Sequence, residues 1–290
     1  MWAIVINPIS GSGRGAVLGR EVAGYFASKK LSYCIITATS AQKLRRNLSE
    51  YLDTNGNDCE GVISVGGDGL AHLVLQLVVP HKVPFTVVAA GTGNDFLRAL
   101  GWQLDGLTAQ LDAVTSRKPT PVDLGLVDSE WFGAILSTGF DSIVNEKANT
   151  LRWPKGPMKY NLAIAMELPK FRPLGYRIEI DGQVIETEAM LIAIGNGSSY
   201  GGGMMVCPDA DMSDGLFDVM VLRPVSKFEF LRVFPKVFTG QHIHHPQVDI
   251  YRAAKVSLTA EAVAYADGER IGGLPVRAEC MAGAGLSWTP

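Results

Sequence analysis

The chain has 290 residues, 47% of them hydrophobic and 19% charged, a composition that builds globular cores and excludes disorder as the main state. Its 26 basic and 29 acidic residues leave a net charge of −3, which argues against a general nucleic-acid binder, because phosphate neutralisation dominates such affinity. The length suggests two domains, and no apolar run approaches the ~18 residues of a spanning helix. Cys34, Cys59, Cys207 and Cys280 lie too far apart for a zinc or redox motif and read as the reduced thiols of a cytosolic protein. The first eight residues have no basic segment and do not read as a signal peptide.

The first third alternates strand and helix. Trp2–Ile6 predicts an apolar strand, Gly11, Gly13 and Gly15 a loop, and Ala16–Ala27 a helix. Tyr33–Ile36 predicts a second strand and Ala41–Leu52 a second helix, with Leu44, Leu48 and Leu52 on one face. Val62–Val65 runs into Gly66-Gly67-Asp68-Gly69, and helix Leu70–Val79 stops at Pro80. Phe85–Ala89 runs into Gly91-Thr92-Gly93-Asn94-Asp95, and a helix begins at Phe96. Short apolar strands alternating with helices predict a parallel sheet covered on both faces.

Beyond about Pro119 strand follows strand: Val122–Val127, Trp131–Ser137, Gly175–Ile180, Val184–Ile194, Phe217–Leu222, Val256–Thr259, Val263–Ala266 and Val276–Ala278. Asp181-Gly182 and Asp267-Gly268 are turn signals between them. The expectation is an α/β domain over 1–120 and an antiparallel β-rich domain over 121–290. Helices interrupt the second at about 157–170 and 226–238, and the extreme C-terminus is free to pack back on the first.

Ligands of such parallel sheets bind beyond the carboxyl ends of the strands, where all three Gly-rich segments fall. Glycine at a strand-to-helix junction lets backbone N–H groups approach an anion closely, and the following helix adds a favourable dipole. Any one loop can be a simple tight turn; three at one edge argue for a polyphosphate. The first loop matches neither the P-loop nor the dinucleotide fingerprint. Asp68 and Asp95, beside such a site, suggest a Mg²⁺ ion held partly through water.

Asn7-Pro8-x-Ser10-Gly11, Gly66-Gly67-Asp68-Gly69 and Gly91-Thr92-Gly93-Asn94-Asp95-Phe96, in this order, resemble the diacylglycerol kinase catalytic-domain family, which includes sphingosine and ceramide kinases. The resemblance continues through Gly139-Phe140-Asp141, Gly195-Asn196, Gly201-Gly202-Gly203, Pro208-x-Ala210, Asp214-Gly215-Leu216 and Asp267-Gly268-Glu269, so it spans nearly the whole chain. It implies a fold like that of NAD and diacylglycerol kinases, with a cleft between two domains. It implies ATP contacts from Asn7, Pro8, Ile9, Ser10 and Gly11, from Thr39 (with Thr37 as the alternative), from Gly66, Gly67, Asp68 and Gly69, and from Thr92 and Asn94. It makes Asp68 and Asp95 the organisers of catalytic Mg²⁺ and Glu269 the base that takes the proton from a lipid hydroxyl. Asp211, Asp214 and the carbonyl of Leu216 resemble a structural Mg²⁺ site, with a solvated acidic turn as the alternative.

The family's usual Thr after Gly-Gly-Asp-Gly is here Leu70, and His72 and Leu73 stand where Asn and Glu are common. His242, His244 and His245 read as a surface loop. Residues 147–177 hold seven basic side chains (Lys147, Arg152, Lys155, Lys159, Lys170, Arg172, Arg177) against Glu167 alone, interleaved with Trp153, Tyr160, Phe171 and Tyr176. That pattern fits peripheral contact with anionic lipid, or else a solvated connector. The expected protein is therefore a cytoplasmic ATP- and Mg²⁺-dependent lipid kinase that visits the inner face of the membrane and binds no nucleic acid; a homodimer is compatible. The rival readings are a weak or inactive binding homologue and a kinase of a soluble alcohol.

Overall fold

The computed structural model describes residues 1–151, 153 and 157–290, except for the side chains of 157 and 161. Two compact units emerge, and the chain passes between them more than once. The first comprises Met1–Leu124, Met212–Asp214 and Met281–Pro290; the second comprises Gly125–Asp211 and Gly215–Cys280.

The first unit is built on β1 (Trp2–Ile6), α1 (Arg14–Ser28), β2 (Tyr33–Ile36), α2 (Ala41–Asn55), β3 (Gly61–Gly66), α3 (Asp68–Val78), β4 (Phe85–Ala89), α4 (Asp95–Ala99) and α5 (Leu107–Ser116). Its four strands pair in parallel in the order β2-β1-β3-β4. Every residue of β1, β3 and β4 is buried, as expected of strands covered on both faces. Ser40 caps α2 by accepting the Lys43 N–H, and Leu44, Leu48 and Leu52 form its buried stripe. The sequence pattern misses α5. Its buried face carries Gln110, whose amide donates to Thr86 Oγ1 and to the Val87 carbonyl, so a polar residue stands where an apolar one is expected. Residues 281–290 close this unit. Trp288 lies tilted against Trp2 with ring centroids 5.5 Å apart, and its indole N–H reaches the Arg117 carbonyl. The Trp288 carbonyl accepts from the Trp102 indole, and Ser287 Oγ donates to the Phe85 carbonyl.

Through the second unit run β5 (Thr120–Val127), β6 (Glu130–Phe132), β7 (Ile135–Gly139), α6 (Phe140–Thr150), α7 (Pro157–Glu167), β8 (Leu174–Ile180), β9 (Gln183–Ala189), β10 (Leu191–Gly195), β11 (Phe217–Leu222), α8 (Lys227–Val233), β12 (Val248–Ala253), β13 (Lys255–Thr259), β14 (Val263–Ala266), β15 (Glu269–Gly273) and β16 (Val276–Ser287). One sheet runs β12-β11-β10-β7-β14-β15 and the other β6-β5-β16-β13-β8-β9. Leu136, Ile192, Ile194, Val219 and Val221 of the first pack against Tyr176, Ile178, Val256 and Leu258 of the second, giving a sandwich core. The opposite face of the first sheet, with Ala193, Met220 and Leu222, is covered by Phe140, Val144, Ala163 and Phe230 from the helices. Burial on both faces explains why β10 and β11 read as continuous apolar runs.

Two predicted strands prove to be pairs. Trp131–Ser137 breaks at Gly133-Ala134, and Val184–Ile194 breaks at Met190. The Met190 carbonyl accepts the first N–H of α6, from Phe140, while its own N–H donates to Leu222. Among the described residues no helix is long and apolar enough to cross a membrane.

Candidate active site

Because β1 to β4 are parallel, the segments that leave their carboxyl ends share one edge of the sheet. After β1 the chain turns through Asn7 to Gly13. Asn7 Oδ1 accepts from the Ile9 N–H and the Asn7 carbonyl accepts from Ser10. Gly11 has φ +56°, and a Cβ on it would stand 1.9 Å from the Ala90 carbonyl oxygen, so the first loop lies on the backbone that follows β4. Gly67 and Gly91 also approach closely: a Cβ on Gly91 would fall 2.6 Å from the Gly67 Cα. Three strand-end loops thus touch backbone to backbone, and bulkier residues at these glycines would force them apart. Thr39 is exposed beyond β2, while Thr37 lines an apolar cavity of about 250 Å³ with Ile6, Pro8 and Ile35 on one side and Ala16, Gly19 and Ala23 of α1 on the other.

Asp68 ties two of the loops together. Its Oδ2 accepts the Asn94 N–H at 2.6 Å, and its Oδ1 accepts those of Asp95 at 2.8 Å and Phe96 at 3.4 Å. The carboxylate at the start of α3 therefore serves the start of α4, where backbone N–H groups lack helical partners. Asn94, left-handed at φ 58°, closes the turn by bonding both ways with Gly91. Asp95 is buried and pairs with Arg98 at 3.2 Å, and the Arg98 guanidinium also donates to the Gly93 carbonyl. Both carboxylates face Gly93, where an ideal Cβ would lie 2.2 Å from Asp68 Oδ2 and 3.3 Å from Asp95 Oδ2. Thr92 and Gly69 remain exposed at the rim. Leu70 turns inward and packs on Gly66, and His72 is buried on α3 with Leu73 half-buried beside it.

In the second unit, Glu269 is exposed and opens β15, directly after a turn whose residues Asp267 and Gly268 both have positive φ. Glu269 is thus the first strand residue beyond the Asp267-Gly268 turn signal. Asp267 accepts N–H groups from Gly133, Ala134 and Ile135 at 2.8, 2.8 and 3.3 Å. The turn is pinned to the junction of β6 and β7, the point where the predicted single strand breaks. Arg270 and the Tyr265 hydroxyl both donate to Glu146 Oε1 of α6, at 2.8 and 3.0 Å, which holds the Glu146 carboxyl below its usual range. Burial, and the charge of Glu269, raise the Tyr160 phenol of α7. Tyr160 and Arg270 are thus neighbours of Glu269 that the motif does not include. Asp141 is a further one-sided group. Neither carboxylate oxygen makes a hydrogen bond of good geometry, and burial pushes its pKa up to about 6 against the weaker pull of Ser137 and the Ser142 N–H.

Other sequence expectations fare differently. Asp211, Asp214 and Leu216 share the loop before β11, with both aspartates exposed. Among the described residues no group of three or more His, Cys, Asp or Glu side chains is placed to hold a metal. The histidines are not a simple surface loop: His242 is buried with Nε2 3.1 Å from the Val206 carbonyl, and His245 lies 3.1 Å from Glu229. In the 147–177 stretch Arg152 and Lys155 lie outside the described residues. Phe171 and Tyr176 turn into the core, Lys147 and Lys170 flank Glu167, and Arg177 approaches Glu186. Only Trp153, Tyr160 and Arg172 of the named residues stand exposed and without an ion pair among the described residues.

Residues 1–127 match the model of the diacylglycerol kinase catalytic domain, and residues 134–285 match that of the YegS C-terminal NAD kinase beta sandwich-like domain. The diacylglycerol kinase of Mycobacterium tuberculosis (strain CDC 1551 / Oshkosh) is 35% identical over 270 residues, covering 91% of this chain and 86% of the relative. That of Bacillus subtilis (strain 168) is 31% identical, covering 94% and 90%. A crystal structure of a diacylglycerol kinase from Bacillus anthracis Sterne has the same fold, with a TM-score of 0.74 at 18% identity, over 100% of this chain and 96% of the other. A second structure from that organism reaches 0.79 at 20% identity, over 100% and 97%. By these matches the chain belongs to the diacylglycerol kinase catalytic-domain family and is a kinase with an alcohol acceptor.

Proposed function

We propose that the chain transfers the γ-phosphoryl group of ATP to a lipid hydroxyl, with diacylglycerol as the first candidate acceptor. The observation that carries this reading is the backbone contact among the loops at Gly11, Gly67 and Gly91 on one parallel sheet edge. Such loops present N–H groups to a polyphosphate. In this reading Asn7 to Gly11, Thr39, Gly66 to Gly69, Thr92 and Asn94 line the nucleotide. The relatives' names supply the acceptor class.

Asp68 and Asp95 offer hard oxygen donors of the kind Mg²⁺ takes, and their shared orientation toward Gly93 fits an ion held through water. When bound, Mg²⁺ neutralises charge on the β and γ phosphates. Asp211, Asp214 and the Leu216 carbonyl are proposed as a separate structural site. The acceptor oxygen gives its proton to Glu269 as it attacks the γ-phosphorus in line, and the bond to the β-γ bridging oxygen breaks to release ADP. Asp68, Asp95 and Glu269 favour activity over the inert reading that Leu70, His72 and Leu73 suggest.

The test is ADP release from MgATP with diacylglycerol in mixed micelles. Glu269→Gln is expected to lower kcat by about 10²- to 10⁴-fold while calorimetric ATP binding persists. Turnover that survives in the variant rules out Glu269 as the base, and turnover that needs no lipid rules out the lipid acceptor.

A further inference from the structure

Between β11 and β12 the second unit presents α8 and a 3-10 segment, Phe234–Thr239. Phe230 and Val237 anchor this stretch. Phe230 packs edge-on against Phe140 at 5.2 Å and stacks with Phe234 at 5.8 Å. Its other side is apolar too, yet faces water: Phe228 is 80% exposed, Leu231 55% and Phe238 52%. Three large apolar side chains exposed between Phe228 and Phe238 mark an interaction site more than a scatter of exposed hydrophobics does.

Charge narrows the partner. Lys227, Arg232 and Lys236 are interleaved with these residues and exposed, and none is paired with a carboxylate among the described residues. Lys227 donates to the Pro169 carbonyl, which draws the loop carrying exposed Arg172 beside it. The one acid of the segment, Glu229, is taken up by His245. The patch is therefore cationic on a chain whose net charge is −3. A second copy meeting this face in a symmetric dimer would bring cation against cation. Exposed aromatic and aliphatic side chains ringed by Lys and Arg suit the headgroup region of an anionic bilayer, where the rings enter and the cations stay with the phosphates.

We propose that Lys227–Thr239 is the surface by which this protein docks on anionic membranes, a step that rests on the lipid-kinase reading and gives that reading its route to substrate. The full chain is to be sedimented with vesicles of phosphatidylcholine alone and of phosphatidylcholine with phosphatidylglycerol. Wild type is expected on the anionic vesicles only, and to be released by salt. Phe228→Ser with Leu231→Ser is expected to weaken that binding by about tenfold or more, and Arg232→Glu with Lys236→Glu to abolish its preference for phosphatidylglycerol. Melting temperature, and turnover on a short-chain diacylglycerol dispersed as monomers, should stay at wild-type values in both variants. Absence of wild-type binding, equal binding by the variants, or a wild-type dimer that the Phe228→Ser, Leu231→Ser variant disrupts would each overturn the proposal. Failure of the acceptor reading shows up separately, as no turnover of the dispersed lipid by the wild type.

Discussion

Asp68 and Asp267 sit before glycine in two motifs, and each spends its carboxylate on backbone N–H groups of a distant segment, 94–96 and 133–135. Sequence alone finds such aspartates but not this work, because their acceptors' partners are 26 to 28 residues away in one case and 132 to 134 in the other. Asp68→Ala should leave three N–H groups at the head of α4 without their acceptor. A loss of about 1–3 kcal/mol in urea unfolding is expected, with a weakened calorimetric signal for ATP. Asp141 makes an opposite contribution. Its folded pKa of about 6 lies above the unfolded carboxylate value, so the folded state holds its proton more tightly. The group costs nothing where both states are protonated, and its cost grows as pH rises through the folded pKa. Between about pH 4 and pH 8 the stability of Asp141→Asn relative to wild type should improve by roughly 3 kcal/mol; a difference that stays flat across denaturation curves in that range would refute the buried-carboxylate account.

At the scale of elements, the strands with continuous apolar runs and the helices with clean stripes are legible from sequence, since double burial leaves no ambiguity of face. β12 and β15 are not legible, and they are the two edges of their sheet, half-exposed and carrying Asp, Arg and Glu. α6 escapes notice because Ser142 shares its buried face with Phe140, Val144 and Ala148. The loops are legible as glycine-rich, but the contact between Gly67 and Gly91 follows only from strand order, which places β3 beside β4. Gly91→Ala tests that contact. Its Cβ would meet the Gly67 Cα at 2.6 Å, so the two loops must part. ATP affinity is expected to fall by tenfold or more, about 1.4 kcal/mol, as read by titration calorimetry.

For the whole molecule, Trp288 links distant parts of the sequence: it lies against Trp2 and beside Gly61, where a Cβ would come 2.9 Å from its ring. Trp288→Ala should cost about 3–5 kcal/mol and lower the melting temperature of the first unit; an unchanged thermal transition would show that the ring contributes little. Composition and pattern indicate an α/β half and a β half, yet no local signal announces that a strand starting in one unit ends in the other. β16 runs from Val276 to Ser287, and its last residues belong with the first 124. The nascent chain thus meets a fixed order of events: the ribosome delivers the parallel sheet first, and the tryptophan that closes it only after the sandwich has been made. A first half released early, without residues 281–290, leaves the Trp2 ring without Trp288 and the Phe85 carbonyl without the Ser287 hydroxyl. Such a half would be a client for chaperones, and recombination could exchange it between relatives only with two crossovers.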